Sequence, residues 1–83
     1  LCDMPQGGTL SDAEAYFTDA IDGRLAPGEG VIPVAEMTRA LPHDLPISLE
    51  IRSRFYRERY PDPIERAKAI LSQTQKFLTQ HGL

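Results

Sequence analysis

The stretch D-L-P-I-S-L-E-I-R-S, residues 44–53, decides how the rest of the chain is read. Ile47, Leu49 and Ile51 alternate with Ser48, Glu50 and Arg52, the period of two that gives a β-strand one apolar and one polar face. A carboxylate at Glu50 then has two readings. On an exposed antiparallel sheet the polar face meets water. In a parallel sheet covered on both sides the carboxylate is buried, and a buried charge needs a cation, a metal or a set of hydrogen bonds.

The flanking sequence bears on that choice. L-C-D, residues 1–3, reads as the end of a strand running into the polar turn M-P-Q-G-G, and the chain begins with Leu1, as a piece cut from something longer does. Ser11 and Glu14 have capping-box spacing, and Ala13, Tyr16, Phe17, Ala20 and Ile21 recur at helical period, so a helix is predicted over 12–22 with Gly23 as a left-handed stop. A-P-G-E-G, residues 26–30, is a loop with a Pro27-Gly28 turn. Pro33 opens a short helix whose apolar face is Val34, Met37, Ala40 and Leu41, ended by Pro42. Ser53 caps R-F-Y-R-E-R-Y. Asp62, Pro63 and Glu65 open a helix over 63–80 striped by Ile64, Ala67, Ile70, Leu71, Phe77 and Leu78. Strand end, helix, loop, helix, strand, helix is the βα alternation of parallel strands packed under helices. The expected class is therefore α/β.

Composition narrows the function. The chain has 83 residues, one small domain or part of one, with nine Lys and Arg against twelve Asp and Glu and a net charge of −3. No basic run marks a nucleic-acid surface, no apolar run approaches the roughly 20 residues of a membrane span, and no signal peptide stands at the start. A soluble, cytoplasmic protein is expected, without nucleic-acid or membrane partners. Cys2 is the sole cysteine, so no internal disulfide forms and a buried inert thiol is expected.

The order L-C-D, L-A-P-G-E-G, V-A-E-M-T-R-A-L-P, I-S-L-E-I-R-S and P-D-P-I-E-R-A-K-A-I-L-S-Q-T-Q-K-F-L resembles the C-terminal part of the sugar phosphate isomerase/epimerase family, the xylose isomerase-like TIM barrels related to endonuclease IV. The resemblance implies that residues 1–83 are the last βα units of a (β/α)₈ barrel, from the end of strand seven through strand eight to the closing helix, in a whole of roughly 250 residues. It implies a divalent metal, manganese, magnesium, cobalt or zinc, at the barrel mouth, with Glu50 as the last ligand and an acid/base carboxylate. The activity implied is transfer of a proton between adjacent carbons of a sugar or sugar phosphate through an enediolate. The remaining ligands lie in the upstream part of the barrel.

Other residues keep two readings. Asp3 orients a neighbour of the metal or caps its turn. Arg24 and Arg52 bind a substrate phosphate, carboxylate or hydroxyl, or are solvated. Glu29 binds substrate or fixes its loop. His43 and His81 lack ligand spacing. Two alternatives to the isomerase stay open: metal-assisted phosphodiester hydrolysis, and a helical interaction module presenting Arg52, Arg54, Arg57 and Arg59. Self-association is compatible with either enzyme reading. Alone, the chain is expected neither to turn over sugar nor to fold as a stable monomer, since its strand edges and the apolar stripe of its last helix lack partners.

Overall fold

The computed structural model describes residues 1–5 and 12–83. Four helices carry the architecture: α1 (Ala13–Asp22), α2 (Val34–Arg39), α3 (Arg54–Arg59) and α4 (Pro63–Gln80). Their starts follow local chemistry. Asp12 caps α1 by accepting from the Ala15 N–H at 2.8 Å. Ser53 caps α3 by accepting from Tyr56 N–H at 3.2 Å, and Asp62 caps α4 by accepting from Ile64 N–H at 3.2 Å, with Pro63 in the first turn where its missing donor costs nothing. The predicted bounds of the last helix are met. Three details differ. Glu65 does not complete a capping box but pairs with Lys68 at 3.5 Å. Gly23 ends α1 at φ −100°, not in the left-handed region, donating to Asp19 O at 3.0 Å. The predicted Ser11 cap lies outside the described residues.

The expected α/β class, with barrel-type βα units and one clear strand, is not what the chain forms: the described residues hold helices and no strand. Residues 46–52 carry no regular secondary structure: a strand is defined by a ladder, and alternation supplies side-chain parity without supplying a neighbour. Only isolated antiparallel bridges form, Asp3 with Leu25 and Gly23 with Ser53. The alternation sorts exposure only in part: Leu49 and Ile51 are half-buried and Ser48, Glu50 and Arg52 exposed, but Ile47 of the expected apolar face is exposed too.

The core is small and lies where the loop 26–32 meets α3 and α4. Ala26, Val34, Tyr56 and Phe77 are its buried apolar residues, joined by Pro27. Gly28, at φ +87°, lies so close over the Phe77 ring that an added Cβ would stand 2.6 Å from Cδ2. Much apolar surface is left uncovered, including Phe17 of α1 and Ile64 and Leu71 of α4. The molecule is accordingly a slab of 36 × 32 × 18 Å.

Candidate functional site

Two polar assemblies emerge. The first is built around Asp3, whose side chain is fully buried. Its backbone pairs with Leu25 in both directions, at 2.8 and 2.9 Å. Its carboxylate accepts from Met4 N–H at 2.8 Å and Ile32 N–H at 2.9 Å through Oδ1, and from Gly28 N–H at 3.2 Å and Gly30 N–H at 3.0 Å through Oδ2. Alternate amides of the loop, at 28, 30 and 32, therefore converge on one carboxylate, which is how a buried charge is compensated without a counter-ion. Gly30 permits the approach: a Cβ there would stand 2.1 Å from Met4 O and 2.6 Å from Asp3 Oδ1.

Glu29, between those amides, turns elsewhere. Its Oε1 accepts from Ala26 N–H at 3.0 Å and from the Tyr56 hydroxyl at 2.6 Å, tying the loop to α3. Burial, and then the neighbouring Glu29 carboxylate, push the Tyr56 hydroxyl above the ordinary tyrosine range. Asp3 and Glu29 thus meet at one loop, which their two carboxylates hold from opposite ends.

The second assembly is the exposed edge at 48–52. Glu50 is 82% exposed and its Oε1 lies 3.9 Å from Arg52 Nε. That pair contributes little, since exposed ion pairs are worth about 0–1 kcal/mol. The backbone beneath is pinned: the Leu1 nitrogen donates to Ser48 O at 2.6 Å, and Arg24 N–H donates to Arg52 O at 2.9 Å. Buried Ser53 then starts α3. Arg24 adjoins Arg52 by this backbone bond, but its guanidinium is held by Asp19 at 3.1 Å and approaches Cys2 Sγ at 3.9 Å. Neither Asp3 nor Glu29 has a side-chain bond to this edge among the described residues. No group of three or more His, Cys, Asp or Glu side chains among the described residues is gathered as a metal site.

The arginine row seen in the sequence is divided. Arg54 and Arg57 both bind Asp22, Arg54 at 2.9 Å, and with Arg57 as the stronger influence they hold the Asp22 carboxyl below its ordinary value. Sequence reasoning missed the partners of Asp3 and the Glu29–Tyr56 bond. The available signal was the two glycines flanking Glu29, which leave the loop's amides open to a carboxylate.

No protein-family model, curated protein or solved structure matches this chain. None of the described helices is long and apolar enough to cross a membrane.

Proposed function

We propose that the chain is a portion of a metal-dependent sugar or sugar phosphate isomerase/epimerase, to which it contributes Glu50 as a metal ligand and acid/base carboxylate and Arg52 as a substrate-binding cation. One observation carries the reading: Glu50 and Arg52 share an exposed polar edge whose backbone is pinned at Ser48 and Arg52. The Glu50 carboxylate is committed only to a weak contact and is open to a ligand. The order of sequence pieces described above supports the same reading.

The donor chemistry fits. Carboxylate oxygen suits magnesium, manganese, cobalt or zinc, and Glu50 supplies one such donor, with the others provided by residues beyond this chain. A bound divalent ion would polarise the carbonyl and hydroxyl oxygens of an aldose or ketose. Glu50 would be one of the residues holding it, and its carboxylate could take up or return the proton of the carbon beside the carbonyl. Arg52 presents paired donors to a phosphate or hydroxyl of the sugar, while Arg24, occupied by Asp19, steadies the neighbouring backbone. Asp3 and Glu29 shape the adjoining loop.

Isomerase and epimerase assays on the intact enzyme that contains this chain, carrying Glu50→Gln or Glu58→Gln, test this. Glu58 is an exposed α3 carboxylate with no bonded partner among the described residues. Loss of turnover in Glu50→Gln alone is the expected result; equal turnover in both variants and the parent would overturn the proposal.

A further inference from the structure

The chain has nine Lys and Arg side chains. Arg24, Arg54 and Arg57 hold aspartates, and Arg52 and Lys68 face glutamates. Arg39 and Arg66 donate to the carbonyls of His81 and Tyr60. The two left without a bonded partner among the described residues, Arg59 and Lys76, line the same hollow. That hollow, of about 540 Å³, lies between α3 and α4. Phe55 and Tyr60 give it aromatic walls, Ser72 a hydroxyl and Glu29 a carboxylate.

The pairing of two unneutralised cations in a chain of net charge −3 follows from helix spacing. Side chains three and four apart meet on a helix. Arg59 has Phe55 and Tyr56 at those positions on α3, and Lys76 has Ser72, Gln73, Thr79 and Gln80 on α4, so neither element supplies an acid. Glu29 is the sole carboxylate in the lining, and its Oε1 already accepts from Ala26 N–H and Tyr56 OH. Two cations against one carboxylate leave a net positive charge in this open hollow, where their attraction for an anion weakens as salt rises.

We propose that this hollow is a binding site for a small phosphate monoester. Arg59 and Lys76 take the phosphoryl oxygens, Ser72 donates a further hydrogen bond, and Glu29 accepts from a hydroxyl of the ester's organic part. The guanidinium supplies directional paired donors and the ammonium a point charge, a combination suited to phosphate. This site is separate from Glu50 and does not rest on the isomerase reading.

The test is titration of the protein with ribose 5-phosphate, ribose and inorganic phosphate at low ionic strength with a chelator present, followed by amide shifts in a nitrogen–proton NMR spectrum. Ribose 5-phosphate should shift Tyr60, Ser72, Gln73 and Lys76, bind at least tenfold more tightly than either other probe, and weaken as salt rises. The double variant Arg59→Gln, Lys76→Gln should bind at least tenfold more weakly, and Lys68→Gln, which removes a paired charge from α4, should bind as the parent does. Equal affinity in the double variant, equal loss in Lys68→Gln, or shifts confined to other residues would overturn the proposal. Matching affinity for inorganic phosphate or ribose would overturn the ester.

Discussion

The Tyr56 hydroxyl donates to Glu29 Oε1 across 2.6 Å, joining the first turn of α3 to a loop that begins 30 residues earlier at Ala26. Because Oε1 also receives the Ala26 N–H, one carboxylate oxygen closes the loop and fastens it. Replacing Tyr56 with Phe should cost about 1–2 kcal/mol, the range of one hydrogen bond to a charged acceptor at a partly exposed site, measured by chemical denaturation. Glu29→Gln should cost less, since its amide oxygen still accepts.

The same bond predicts a pH effect. A phenol whose folded value lies above its unfolded value of about 10 stays protonated in the folded state while the unfolded chain ionises. Its contribution is therefore fully present below about pH 10 and is lost as the pH climbs towards the folded value. An ultraviolet titration should show one tyrosine ionising well after the others, and Tyr56→Phe should remove that late phase.

Asp22 gives the opposite sign. Arg57 and Arg54 hold its carboxyl below the usual 3.8, so the stability it contributes is present above about pH 4 and is lost as the pH falls through the folded value. The urea midpoint should drop on acidification below pH 4, and the drop should be smaller in Asp22→Asn and at high salt.

Glycine substitutions should separate close packing from backbone strain. Gly30→Ala drives a methyl into Met4 O at 2.1 Å, a backbone atom that cannot swing aside, and should cost about 3 kcal/mol or more. Gly82, at φ +66° with open space around it, should lose only about 1–2 kcal/mol on the same change. Gly28→Ala combines a positive φ with a close contact to the buried Phe77 ring and should cost more than Gly82→Ala. Denaturation midpoints of the three variants give the order.

Asp3→Ala should leave the amides of Met4, Gly28, Gly30 and Ile32 without their acceptor. Buried donors deprived of a charged partner cost about 1–3 kcal/mol each, less than additively, so a loss of at least about 3 kcal/mol is expected. Hydrogen exchange should accelerate first at Gly28, Gly30 and Ile32.

Helix positions were legible because capping is local: Ser53 and Asp62 announce α3 and α4 through side chains that bond within three residues. The strand was not, because its existence depends on a partner that alternation in 47–52 cannot name. The role of Asp3 was half legible. A turn-capping aspartate was one of its readings, but three of its donors come from 25 to 29 residues away, and such convergence is a tertiary property. Glu50 and Arg52 were placed on one face by parity alone, and their neighbourhood at 3.9 Å follows from it.

The central claim concerns Glu50, and the most direct measurement is a manganese titration of the intact protein that contains this chain and of its Glu50→Gln variant, with Glu58→Gln alongside. Glutamine keeps the size of the side chain but removes the negative charge that opposes the ion. The account predicts at least a tenfold loss of manganese affinity in Glu50→Gln, with Glu58→Gln unchanged and the urea midpoint moved by no more than about 0.5 kcal/mol, as for an exposed site. Manganese affinity equal in all three proteins would contradict it.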